Sequence, residues 1–204
     1  MVCCYCNCNP VTAPRHSCSP QRPVVEQPEY NIFARQRVEI EYAPVYRETG
    51  LGLTTWSPLA SGILTGKYSS GAVPPGSRFA VESYSWLAKS KLEGDKWQVE
   101  AADRLAPIAA DLGCSLAQLS IAWVLSNKKV STCILGATSL AQLTENLGAL
   151  DVLPKLTPEV LARIEEAAGE RTVPTLAAVA SQVKGIRALD SVQGLNVGRG
   201  RGAI

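Results

Sequence analysis

Three features of the sequence predict an α/β fold organised around a short parallel sheet. Strand-like and helix-like segments alternate through the middle of the chain, the pattern of βα units. The segment VSTCIL (130–135) is near-continuously apolar, as a parallel strand buried on both faces should be. Several helical segments open on recognisable N-cap residues and close on glycine.

Taken in order, residues 23–26 (PVVE) begin the first strand, which Gln27-Pro28 ends. Residues 34–49 read as a helix, with Val38, Tyr42, Val45 and Tyr46 on one side and Gly50 as its stop. LGLTTW (51–56) is the second strand, stopped by Ser57-Pro58. Residues 60–84 form a long loop rich in Gly, Pro and Ser, a length that in compact domains marks function or disorder. A helix then runs from near Asp95 to Leu112, with Gly113 at its C′ position. Ser115 caps the next helix (116–126), whose Leu116, Leu119, Ile121, Ala122 and Leu125 are mostly buried types. After the third strand, Ser139 opens a helix with Gln142 at the third helical position, completing a capping box. Thr157-Pro158-Glu159 opens a last helix that ends at Gly169: an N-cap, then Pro at the first helical position. Residues 1–22 lack hydrophobic periodicity, and residues 172–204 end in the Gly/Arg-rich VGRGRGAI; both ends read as poorly ordered tails. The folded domain is therefore expected over residues 23–171.

Composition narrows the function classes. With 46% hydrophobic and 19% charged residues, the chain reads as a soluble protein. A net charge of +2 is too small and too scattered to imply a nucleic-acid partner. No apolar run approaches the ~20 residues a membrane span needs, so no membrane insertion is expected. The first residues lack the apolar core of a signal peptide, and a cytoplasmic, reducing setting is expected. Cys3, Cys4, Cys6, Cys8 and Cys18 crowd the start of the chain beside His16. Thiolates with one imidazole suit zinc or copper, but C-C-x-C-x-C matches no common zinc spacing, and no metal site is assigned. Cys114 and Cys133 sit in apolar contexts and read as packed small hydrophobes.

Two stretches carry chemistry. Gly136-Ala137-Thr138 ends the third strand just before a helix, where small residues let backbone N–H groups approach a phosphate with the helix dipole assisting. On that helix Gln142, Glu145 and Asn146 are spaced i, i+3, i+4 on one face. Lys67 and Arg78, in the long loop, can reach a diphosphate with charge-assisted bonds. Trp56, at a strand end, can serve as an aromatic platform. Each also fits ordinary structure: Ser139 and Gln142 as capping, Glu145 and Asn146 as a solvated face, Lys67 and Arg78 as loop charges, Trp56 as a core or rim aromatic.

In sequence order they resemble one family. EQPEYNIF (26–33), TWSPLASGILTGKY (55–68), PPGSR (74–78), LGCSLAQLSIAWVL (112–125) and LGATSLAQLTENLGAL (135–150) look like the C-terminal half of an aldo-keto reductase. The similarity is greatest to the branch of the voltage-gated potassium channel β subunits, and it spans residues 26–156. The resemblance implies a (β/α)8 TIM-barrel lineage of which this chain carries about the last three βα units. The usable length falls short of the roughly 250 residues of a closed barrel. It also implies NADP(H) as cofactor, held without a Rossmann domain. Carried over by position, Gln27 would contact the nicotinamide amide and Trp56 would pack on its ring. Ser57, Pro58, Leu59, Ala60 and Ser61 would wrap the diphosphate, with Lys67 and Arg78 on phosphate groups. Gly136, Thr138 and Gln142 would surround the adenosine 2′-phosphate, and Glu145 and Asn146 the adenine. Gly76 departs from the family, where a tyrosine commonly covers the cofactor.

The family's catalytic tyrosine, with its supporting lysine and aspartate, lies upstream of every matched segment, so no catalytic residue is assigned. Lys67 and Tyr68 are neighbours in sequence, which are not expected to face each other. The resemblance implies reduction of small aldehydes or ketones, a homo-tetramer, and a potassium channel α subunit as partner. The alternative is a non-catalytic, truncated module that docks on a channel or on a full-length subunit.

Overall fold

The computed structural model describes residues 23–69 and 71–169. The Cys-rich start with His16 and the Gly/Arg-rich end, including the disorder expected of both, lie outside the described residues. Three parallel strands form one sheet in the order β1-β2-β3: β1 Val25–Glu26, β2 Gly52–Thr55 and β3 Val130–Cys133. Val25 pairs with Gly52, Leu53 with Val130, and Thr55 with Cys133, with a register shift between Leu53 and Thr54. Leu53 of the central strand is fully buried.

The expected helix over 34–49 is interrupted. Wide π-type turns occupy Arg37–Glu41, and a regular helix α1 covers only Ala43–Thr49, ended by Gly50 in the left-handed region (φ 68°). Val38 and Tyr46 are buried, whereas Val45 is exposed. The long 60–84 segment is broken into 3-10 turns at Ala60–Thr65, Arg78–Ala80 and Glu82–Tyr84. Helical structure resumes before Asp95, at α2 Ser85–Lys89, followed by further π-type turns at Ser90–Gly94.

The remaining helices follow their sequence signals. Helix α3 (Lys96–Asp111) buries Val99, Ala102, Leu105 and Ile108, a face at helical spacing, and Gly113 follows at φ 68°. Helix α4 (Leu116–Ser126) starts at a complete capping box: Ser115 accepts from the Gln118 N–H, and the Gln118 side chain accepts from the Ser115 N–H. It packs on β3 and α3, with Leu119, Ile121 and Val124 at or near full burial. Two shorter helices, α5 Leu140–Leu147 and α6 Ala149–Val152, precede α7 Pro158–Ala168, which lies against α3 and places Ile164 in the core. Truncating a core leucine such as Leu105 or Leu119 costs about 2–5 kcal/mol in sites of this kind.

β3 departs from expectation. It is half-exposed, not buried on both faces, with Ser131 and Thr132 open to solvent. Its place at the end of the strand order explains this: one flank has no neighbouring strand among the described residues. No single helix among the described residues is long and apolar enough to cross a membrane.

Candidate functional site

Because the strands are parallel, their C-terminal ends share one edge of the sheet, and the candidate residues cluster by topology there. Gln27 directly follows β1 and is exposed. Trp56 directly follows β2. Its N–H donates to Pro28 O at 3.1 Å and its carbonyl accepts from Tyr30 N at 3.2 Å, while its indole stays 44% exposed. A rigid backbone therefore carries an open aromatic face.

The chain then makes a turn that residues with a side chain rarely adopt. Ser57 (φ 56°), Ala60 (φ 47°) and Ser61 (φ 61°) are left-handed, followed by Gly62 (φ 98°). Each such non-glycine residue costs roughly 1–2 kcal/mol and persists only where its surroundings over-determine it. Asn31 is the main constraint. It is 1% exposed; its Nδ2 donates to Ser57 O at 2.9 Å, and its Oδ1 accepts from the Phe33 and Ala34 N–H groups at 2.9 Å each. One amide thus locks the loop after β1 onto the loop after β2. Pro58, Ala60, Ile63 and Leu64 bury their side chains below the turn, so its backbone is held from beneath.

Lys67 and Tyr68 do face each other, against the sequence expectation. The lysine ammonium sits 5.2 Å from the Tyr68 ring centroid. The same ammonium lies 3.2 Å from where a Cβ on Gly62 would stand. Arg78 lies over Tyr84 at 5.7 Å, and neither cation forms an ion pair among the described residues. Tyr68 is 1% exposed and stacks on Phe79 at 4.5 Å; its hydroxyl is buried without a hydrogen bond, as is that of Ser77.

At the end of β3, Gly136 and Thr138 are exposed. Ser139 accepts from the Gln142 N–H at 3.2 Å, as expected of an N-cap. The reciprocal half of the expected capping box is absent: Gln142 Oε1 instead accepts from the N–H and hydroxyl of Thr138, at 2.9 and 3.0 Å. Ser139 lies in extended backbone (ψ 157°), and the glutamine reaches one residue further upstream. Gln142 and Glu145 are exposed, whereas Asn146 is 6% exposed, so the three do not form one solvated face.

A shallow pocket of about 100 Å³ opens beside the turn, between Glu29, Asn31, Ala60 and Ser61 on one side and Lys91 and Gln98 on the other. Beneath the site runs a polar network that sequence reading did not find. Arg35 donates to both Glu39 oxygens at 2.9 Å and to Glu165, and its guanidinium stacks 5.0 Å from Trp123. Tyr30 donates to Glu39 at 2.8 Å and accepts from Asn127 at 3.1 Å. Burial, with the Glu39 carboxylate adding to it, holds the Tyr30 phenol well above its ordinary range. Cys114 and Cys133 both pack against the core. Burial pushes the Cys133 thiol up to about 11, with a facing Thr55 hydroxyl acting in the other direction, and burial raises Cys114 as well.

Residues 14–168 match the family model described as the aldo/keto reductase family. The chain belongs to the aldo/keto reductase family. It is 57% identical over 143 residues to a probable voltage-gated potassium channel subunit beta of Oryza sativa subsp. japonica, covering 70% of this chain and 43% of that protein. It is 56% identical over 144 residues to the protein of the same description in Arabidopsis thaliana, covering 71% and 43%. The chain thus spans less than half the length of these relatives. Among solved structures it resembles a glycerol dehydrogenase from Gluconobacter oxydans, with a TM-score of 0.55 at 21% identity, over 74% of this chain and 43% of that one. At that identity the likeness speaks for the fold. Gly76 lies at φ 74° with open space around it, a backbone that would strain any other residue there.

Proposed function

We propose that this chain carries the cofactor-holding flank of an NADP(H)-dependent aldo-keto reductase, about the last three βα units of a (β/α)8 barrel. One observation carries the reading. A strained turn, locked by Asn31, stands at the C-terminal end of a parallel sheet, preceded by an open indole and followed in the chain by Lys67 and Arg78, which form no ion pair among the described residues. That edge is where (β/α)8 enzymes bind their ligands, frequently through phosphate.

In this reading Trp56 stacks on the nicotinamide and Gln27 binds its amide. The backbone of Ser57, Pro58, Leu59, Ala60 and Ser61 wraps the diphosphate while Lys67 and Arg78 neutralise it. Gly136, Thr138 and Gln142 take the 2′-phosphate, and Glu145 the adenine, with Asn146 supporting from the buried side. The chemistry NADPH supplies is a hydride for a small carbonyl compound. The proton must come from a phenol whose pKa a nearby ammonium lowers, and that pair belongs to the part of the family barrel this chain does not match. If that part supplies only three charged hydrogen bonds to the cofactor, each worth about 1.5–3 kcal/mol, its absence weakens binding by roughly three to six decades. The plant relatives, described as potassium channel beta subunits, support a channel α subunit as partner; a tetrameric assembly and a cytoplasmic position beside the membrane complete the reading. A second reading is a non-catalytic module docked on a channel or a full-length subunit, which the description of the plant relatives as potassium channel beta subunits supports.

The test is a chimera in which this chain's matching segment replaces that of the rice relative. We expect NADPH-dependent reduction of a small aldehyde, with Arg78→Ala raising the KM for NADPH and Trp56→Ala lowering kcat/KM. A folded chimera that fails to bind NADPH overturns the reading.

A further inference from the structure

Two consecutive residues hold the two positions at which the indole platform becomes the strained turn. The Tyr30 N–H donates to Trp56 O at 3.2 Å, and the Asn31 side chain donates to Ser57 O at 2.9 Å. The Trp56 N–H in turn donates to Pro28 O at 3.1 Å, so residues 28–31 grip Trp56 through both its N–H and its carbonyl. Where Trp56 sits therefore depends on what fixes Tyr30.

Tyr30 is fixed by its own side chain. It is buried, and its ring lies 5.2 Å from that of Trp123 on α4. Its hydroxyl donates to Glu39 Oε1 at 2.8 Å and accepts from Asn127 Nδ2 at 3.1 Å, so the phenol is used in both directions. Both partners are themselves tied. Glu39 accepts two bonds from Arg35 at 2.9 Å each, and Asn127, which follows α4, accepts from the Lys129 N–H at 3.0 Å. A phenylalanine would fill the same space without these bonds. Buried side chains are close-packed in single rotamers, so a constraint at the phenol is passed to the Tyr30 backbone and on to Trp56 O.

Resting on the cofactor reading above, we propose that Tyr30 is a positioning residue: its clamped hydroxyl sets the backbone of Trp56, and through it the plane on which the nicotinamide stacks. Tyr30 itself touches no cofactor atom in this reading. Productive geometry tolerates displacements of roughly half an ångström, so a small relaxation of Tyr30 is felt at the indole. The adenosine end, held in this reading by residues on the connection after β3, is insensitive to it.

The experiment places Tyr30→Phe in the chimera with the rice relative, a change that keeps the ring and its contact with Trp123. Calorimetry measures binding of NADPH and of adenosine 2′,5′-bisphosphate, which lacks the nicotinamide. Fluorine NMR on fluorinated tryptophan follows the indole itself. We expect NADPH to bind about fivefold or more weakly while adenosine 2′,5′-bisphosphate is unchanged. Trp56→Ala should show the same selectivity, and adding Tyr30→Phe to it should weaken NADPH no further, because both act on one contact. The Trp56 resonance, assigned by its loss in Trp56→Ala, should shift or broaden in Tyr30→Phe while that of Trp86 stays in place. Tyr46→Phe is the control for a purely structural loss. It removes another buried hydroxyl bond, to Val38 O at 2.9 Å, and should change neither the binding nor the Trp56 resonance. An unmoved Trp56 resonance, equal weakening of the two ligands, or full additivity with Trp56→Ala each overturns the proposal. If the unsubstituted chimera binds no NADPH while the Trp56 resonance still moves, the cofactor reading fails and the positioning of Trp56 by Tyr30 stands.

Discussion

Removing Arg35 should be among the costliest changes in this chain that do not touch the apolar core. Its side chain is 9% exposed and makes three charge-assisted bonds, two to Glu39 and one to Glu165, with Trp123 stacked on the guanidinium. At about 1.5–3 kcal/mol for each such bond the sum would reach roughly 5–9 kcal/mol. The surviving carboxylates are 26% and 36% exposed, however, so they regain much of their hydration. A loss of about 2–4 kcal/mol is the discounted expectation for Arg35→Ala. Arg37 is the internal control: it faces Glu41 at 4.0 Å with both side chains well exposed, and Arg37→Ala should cost less than ~0.5 kcal/mol. Arg35→Lys keeps the charge but not the planar fork, and should recover only part of the loss. Urea unfolding followed by tryptophan fluorescence measures all three, with buried Trp123 as a reporter beside the network. Equal, small losses for Arg35→Ala and Arg37→Ala would refute the claim that this network anchors the loop after β1 to α4 and α7.

Three further outcomes follow from the site. Asn31→Ala removes four polar contacts from a buried amide and should destabilise by about 2–3 kcal/mol, with hydrogen exchange accelerating first over residues 57–62; uniform acceleration across the chain would contradict a local lock. Tyr68→Phe deletes a buried hydroxyl that has no hydrogen bond, and should be neutral or stabilising by up to ~1 kcal/mol in thermal unfolding, whereas a loss above that size would reveal a partner for the phenol. The Cys133 thiol, raised from 9.0 to about 11, contributes stability that is complete below pH 9 and is lost as pH rises toward 11. Pulse alkylation read by peptide mass spectrometry should accordingly show Cys133 reacting with a midpoint near 11, and a midpoint at or below 9 would contradict its burial.

Local signals were legible where they act locally. Ser115, Gly113 and Thr157-Pro158 mark helix ends from sequence, and the structure has α3, α4 and α7 within a residue or two of those marks. The parallel sheet of three strands was also readable, as was Trp56 at a strand end. What failed depended on distant partners. Arg35 carries no sequence signal of its role, because Glu165 is 130 residues away. Asn31 went unassigned, since nothing near it in sequence says that Ser57 O completes its bonds. Helix α2 was missed because it is short and exposed, with Trp86 at 68%, and so shows no buried periodicity. The apolar run 130–135 overstated the burial of β3, because hydrophobicity cannot tell a central strand from one at a flank that further protein would cover. Lys67 meets the Tyr68 ring through the long, flexible lysine side chain, whose conformation the sequence does not specify.

The central claim is that the edge formed by Trp56, the Ser57–Ser61 turn, Lys67 and Arg78 holds NADP(H). Saturation-transfer NMR with NADP⁺ on the chimera that carries this segment in the rice relative tests it directly, because the method reads which cofactor protons meet the protein. The account predicts transfer to nicotinamide protons that Trp56→Ala abolishes, weaker transfer from NAD⁺, and loss of both signals in Arg78→Ala. Transfer that is absent, or that is the same for NADP⁺ and NAD⁺ and survives both substitutions, would contradict it.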